Sequence, residues 1–103
     1  MSHQVFSLGV AIDAGPAKES KRLVQGPGFV VATHVLRDGA EIPPHSAPAP
    51  IVVTCLAGHG EFLIDGGREV VVLDPGTVLT LPSQVPHSLK AQPFLRVVVV
   101  RVG

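Results

Sequence analysis

Few groups in this chain can do chemistry near neutral pH: five histidines, one cysteine and eight acidic side chains. Imidazole serves there as general acid, general base or metal ligand, because its unperturbed pKa lies close to physiological pH. The acidic residues sit near turns or strand ends, and none form the pair that two-carboxylate catalysis needs. Two histidines stand inside frames of glycine and proline: Gly39, His45 and Gly58 in one, and Gly76, Pro82 and His87 in the other. Three roles are open to His45 and His87. They could be a residual metal pair, an acid/base pair, or polar groups hydrogen-bonded in the mouth of a barrel.

The elements that must position them are strands. The chain has 103 residues, 46% of them hydrophobic and 16% charged, which suits one globular domain over residues 1–103 with a single core. Apolar stretches recur about every ten residues between turn signals, the pattern of short strands in a sandwich or barrel. Strands are expected at Gln4 to Leu8, Lys21 to Val24, Phe29 to Arg37, Ile51 to Ala57 and Glu61 to Ile64. Further strands are expected at Glu69 to Leu73, Val78 to Leu81, His87 to Lys90 and Phe94 to Val102. No sustained helical period occurs, so helix should be scarce. Asp65-Gly66-Gly67 predicts a tight antiparallel hairpin, since both central residues tolerate positive φ. Pro43, Pro44, Pro48 and Pro50 cannot donate to a ladder, so Ile42 to Pro50 must be irregular or edge structure.

With the glycines, prolines and histidines in those frames, the sequence resembles the cupins, in particular small single-domain bacterial ones. The first cupin motif runs Gly, five residues, His-x-His, three or four residues, Glu, six residues, Gly, and it lies over Gly39 to Gly58 with Gly39, His45 and Gly58 matching. The second runs Gly, five residues, Pro-x-Gly, two residues, His, three residues, Asn, and it lies over Gly76 to Ala91 with Gly76, Pro82 and His87 matching. Seventeen residues separate Gly58 from Gly76, a short spacer that suits such cupins. The resemblance implies an all-β jelly-roll barrel of two antiparallel sheets. It also implies a divalent metal held by two His and a Glu from the first motif and a His from the second. Only His45 and His87 remain of that set; Ala47, Ile51 and Ala91 stand at the second His, the Glu and the Asn. Alkyl groups donate no electron pair, and two imidazoles bind a first-row ion weakly, so a divalent metal is expected at low occupancy. Gln84 replaces the glycine of the second motif, leaving that turn without the residue that most easily takes positive φ.

Each remaining candidate has a plainer reading beside the functional one. Cys55 shares strand parity with Ile51 and Val53, which puts all three inside as lining or core. As a substitute metal ligand it lies too far off, since four strand residues span about 13 Å. Glu41 shares parity with His45 but is similarly distant. His34 could face solvent or the cavity, with solvent the simpler assignment, and His3 and His59 are read as solvated. Val97 to Val100 makes the last strand apolar on both faces, so something must cover the outer one, and a homodimer is expected.

Eight basic and eight acidic residues cancel, and no Lys/Arg run occurs, which argues against nucleic acid and acidic membrane as partners. No apolar run reaches the roughly 20 residues of a membrane span. The first ten residues do not read as a secretory signal, and a lone cysteine suits a reducing cytoplasm. The leading functional reading is a small-molecule-binding barrel holding its ligand among His45, Ala47, Ile51, Val53, Cys55 and His87. The alternative is a metal-dependent cupin enzyme, dioxygenase- or isomerase-like, with His45, His87 and ligands that the motifs do not reveal. Sugar-nucleotide epimerase-like chemistry ranks below both, because the chain lacks large substrate-binding insertions.

Overall fold

A computed structural model describes residues 3–10 and 12–103; Met1, Ser2 and Ala11 lie outside the described residues. Seven strands follow in chain order: β1 (Lys18–Gly26), β2 (Phe29–Leu36), β3 (Glu41–His45), β4 (Ile51–Ile64), β5 (Glu69–Leu73), β6 (Val78–Leu81) and β7 (His87–Val102). Every pairing is antiparallel. No helix occurs among the described residues, and so none is long and apolar enough to cross a membrane.

Strands β4 and β7 carry the architecture. They pair along most of their length, from Ile51 opposite Arg101 to Ile64 opposite His87. Register shifts between Cys55 and Ala57 and between Gly58 and Gly60 break the ladder midway, and such bulges bend a strand. On one side of the bend β4 and β7 are flanked by β6, β2 and β1; on the other they are flanked by β5 and β3. The two sheets of the jelly roll are thus halves of one hydrogen-bonded sheet. The separate strands expected at Ile51 to Ala57 and Glu61 to Ile64 are one strand, and so are His87 to Lys90 and Phe94 to Val102. Ala91 and Leu95 pair with Gly60 and Gly58 while Pro93 stays off the ladder, so its missing N–H costs no pairing.

The halves close on a common core. Leu36, Val53 and Val97 from the first half pack in one buried cluster with Phe62, Leu73 and Leu89 from the second. Burying each such side chain stabilises the fold by about 1.5–3 kcal/mol. Up to the first shift the alternation along β4 is regular: Ile51, Val53 and Cys55 are buried in this core and Val52 and Thr54 are half-buried on the outer face, while Ala57 beyond the shift is buried in a second cluster with Ile12 and Val35. The Asp65 hairpin joins β4 to β5 through four residues rather than two, with Asp65, Gly66 and Gly67 all at positive φ.

Gln4 to Leu8 is not a strand. Both of its faces carry apolar side chains, and instead of extending the sheet edge Val5–Leu8 lies beside Thr33, Val35 and Arg96 on the outer face of β2 and β7. The chain that follows is tied down by Arg37, which is 5% exposed. Its guanidinium donates to the carbonyls of Ile12 and Pro16, each at 2.8 Å, and pairs with Glu19.

Candidate functional site

The proline-rich stretch settles where His45 goes. Strand β3 is an edge strand that pairs only with β7, and its register shift falls between Ile42 and His45, where Pro43 and Pro44 stand. Beyond that shift His45 lies directly opposite His87. The two rings are 4.3 Å apart between centroids and tilted by 58°. Each Nδ1 lies 3.0 Å from a carbonyl two residues earlier, that of Pro43 for His45 and that of Val85 for His87. A carbonyl only accepts, so each Nδ1 is the donor in this contact and Nε2 is the ring nitrogen left free. His87 is buried and stacks on Phe62 at 5.3 Å, while His45 stands exposed at the rim.

The pair borders a cavity of about 300 Å³ between the two halves. Ala47, Ile51 and Val53 line it together with both histidines, and Val30, Ala32 and Val99 close the far wall. Cys55 is not part of that wall, contrary to its inclusion among the ligand-lining candidates. It sits one step past Val53 on β4, fully buried, with its thiol 3.7 Å from the Ala57 carbonyl. Burial pushes its pKa up, which leaves it an unreactive core thiol.

The residues from 30 to 99 match the model of the AraC-like ligand binding domain. That span covers more than half of the chain. The protein belongs to this family of ligand-binding domains, and it is a cupin. A conserved protein of unknown function from Streptococcus pyogenes is similar to it at 32% identity and a TM-score of 0.74, over 82% of this chain and 73% of that one. An RmlC-like cupin from Desulfovibrio desulfuricans superposes with a TM-score of 0.78 at 23% identity, over 94% and 96% of the two chains. Salicylate 1,2-dioxygenase from Pseudoaminobacter salicylatoxidans shares the fold at a TM-score of 0.77 and 24% identity; the match spans 85% of this cupin and 25% of that chain. None of the curated proteins matches the sequence.

The metal that cupins usually hold does not fit the residues of this one. Two imidazoles present free Nε2 atoms, but Ala47 and Ile51 supply no donor, and among the described residues no group of three His, Cys, Asp or Glu side chains comes together. A catalytic ion wants at least three protein ligands. The loop that supports His87 is nevertheless built as the motif requires. Gln84 adopts a φ of 67°, and its amide donates to the Ala47 carbonyl at 2.8 Å, joining the two motifs. A non-glycine residue is strained there, so Gln84→Gly should raise the unfolding free energy by about 0.5–1 kcal/mol. Urea denaturation followed by circular dichroism measures this, and a loss of stability would contradict the strain.

Among the polar cavity residues, Arg22 and Arg101 have no place in the sequence reading, and His34, for which solvent is the simpler assignment there, lines the cavity too. Both faces of β2 are apolar, so parity alone left His34 undecided. The register resolves it, because His34 faces inward in step with Val30 and Ala32, with its Nδ1 2.7 Å from the Ser20 hydroxyl. The arginines were hidden by a zero net charge, which says nothing about local clustering. The signal for Arg101 was its alternation with Val99 on the final strand.

Burial lowers the pKa of both His34 and His87, and repulsion from nearby His45 adds to it. The unfolded chain therefore takes up protons that the folded cupin resists as pH falls below about 6.5. The contribution to stability is complete above that pH and declines below it. Thermal melts in EDTA between pH 7.5 and 5.5 should show a falling melting temperature, with a shallower slope in His34→Asn and His87→Asn. A flat or opposite trend in the parent protein would show that neither imidazole is held neutral.

Proposed function

We propose that this cupin is a cytoplasmic, homodimeric small-molecule-binding barrel rather than an active catalyst. Its ligand sits in the cavity bordered by His45 and His87. The observation that carries the reading is the largely apolar cavity of about 300 Å³ in which Ala47 and Ile51 stand where the cupin motif has a His and a Glu. A volume at the small end of ligand sites, with apolar walls and a few convergent polar groups, suits a small metabolite. The Nε2 atoms of His45 at the rim and of buried His87 are free to hydrogen-bond with it. The dimer reading draws on the outer face, where Phe29 is 38% and Val102 is 52% exposed beside half-buried Val98 and Val100. Sedimentation equilibrium tests it, and a monomer at micromolar concentration would remove it.

The second reading, a metal-dependent enzyme, draws on the carbonyl-held Nδ1 atoms, the arrangement that orients metal-ligating histidines. Its missing donors would have to come from substrate or water. Elemental analysis of untagged protein separates the two. We expect substoichiometric divalent metal, removed by EDTA without a change in melting temperature, because an ion held by two ligands adds little to folding. Stoichiometric metal that survives prolonged EDTA dialysis would put the enzyme reading first. In that case His45→Ala and His87→Ala should both lose it.

A further inference from the structure

The cavity is more basic than the composition suggests. Arg101 stands on β7 opposite Val30 of β2 and Ile51 of β4, and Arg22 stands on β1 opposite Ala32. Both residues line the cavity, Arg22 from an exposed position and Arg101 half-buried, and no aspartate or glutamate does. The ion pairs formed by the described residues lie elsewhere, at Arg37–Glu19, Arg68–Asp65, Lys90–Glu41 and His59–Asp74. Arg22 donates to the side-chain oxygen of Gln25 at 2.9 Å, which satisfies one N–H without neutralising its charge. The Nε of Arg101 is buried and has no hydrogen-bond partner, and the same holds for that of Arg96 on the outer face, while Arg101 as a whole is half-buried. A buried N–H without an acceptor costs free energy, which an acceptor entering the cavity beside Arg101 would recover.

We propose that the ligand is a small organic anion, with one carboxylate bound by Arg101 and Arg22 and an apolar body against Val30, Ala32, Val53 and Val99. The inference rests on the reading of the cavity as a ligand site and adds the class of ligand. Planar guanidinium matches carboxylate geometry and binds it through paired hydrogen bonds, while the alkyl wall excludes water and strengthens the attraction. The same charges disfavour a divalent cation beside Ile51, which faces Arg101 across the strand pair. Guanidinium forks pair with phosphate as well as with carboxylate, and a third head group in the experiment separates the two. A cavity of about 300 Å³ lies at the small end of ligand sites and suits a single ring or a short chain.

The test is a ¹⁵N-labelled full-length protein titrated in EDTA with benzoate and hexanoate, with benzamide and hexanamide as uncharged isosteres and phenyl phosphate as a third head group. We expect the carboxylates to shift the amides around Arg22, Ala32 and Val99 saturably and to bind at least tenfold more tightly than the amides. Arg101→Gln should lose at least tenfold for carboxylates and leave the amides unaffected. Arg101→Lys, which keeps the charge but not the fork, should fall between. If Arg101→Gln does not fold, Arg22→Gln carries the same comparison from an exposed position. Equal binding of carboxylates and amides, or no effect of either arginine variant, would overturn the anion while leaving the cavity a ligand site. Phenyl phosphate binding more tightly than benzoate would overturn the carboxylate head. No saturable shift with any compound would overturn both the anion and the ligand-site reading.

Discussion

Introducing the two missing ligands, Ala47→His with Ile51→Glu, should raise affinity for Zn²⁺ or Mn²⁺ by on the order of 100-fold or more, because four donors would converge where only two do now. Both positions line the cavity that His45 and His87 border, and each histidine already has its Nδ1 held by a carbonyl so that Nε2 is free. Two effects oppose the gain. Ile51 is 4% exposed, so a carboxylate there is desolvated in the metal-free protein and lowers its stability. It also faces Arg101, which competes with the ion for it. The metal-free double variant should therefore melt below the parent, and added Zn²⁺ should restore much of the loss by mass action. Calorimetry on the folded variant measures the affinity. No gain there would mean that positions 47 and 51 do not point to the same place as the histidines.

Gly58→Ala should destabilise the fold by about 4 kcal/mol, a large share of the 5–15 kcal/mol that holds a typical domain together. A Cβ on Gly58 would come within 2.0 Å of the Phe94 carbonyl oxygen and 2.7 Å of its carbon, both backbone atoms of β7, and φ is +77°. Relief would require β4 and β7 to separate at the bend that folds the sheet into its two halves. Gly39 provides the internal control. Its φ is +73°, but nothing lies within 4 Å of its added Cβ, so Gly39→Ala should cost only the left-handed strain of about 1–2 kcal/mol. The chain has neither Trp nor Tyr, so urea denaturation is best followed by far-UV circular dichroism. Equal losses in the two variants would show that the close approach to Phe94 is not what Gly58 provides.

These two glycines show how unevenly the fold could be read. Both were found by spacing, and the two motifs were enough to point to a cupin barrel before any strand was paired. Glu69–Leu73 and Val78–Leu81 emerged with the same bounds as in the sequence reading, because apolar runs closed by turn residues leave little choice. The long strands were cut in two at Gly58, Gly60 and Pro93, residues that punctuate most strands. Here they sit in bulges that bend a strand without ending it, and only the partner strand makes that distinction. Gln4 to Leu8 differs for a related reason: a segment apolar on both faces can pair at an edge or lie over a face, and its own residues do not choose.

By itself the sequence determined the class of the fold, the hairpin at Asp65 and the pair of histidines, because local turn chemistry and fixed spacing carry those. It also determined that Ala47 and Ile51 cannot ligate a metal, since that follows from residue type alone. The tertiary structure alone decided that His45 and His87 face each other across a β3–β7 pair, that Cys55 falls behind the cavity wall, and that His34, Arg22 and Arg101 join it. Strand alternation allows a side chain either of two faces. Which one becomes the inside of the barrel depends on register and on where β4 and β7 bend, and both are set by partners far away in the chain.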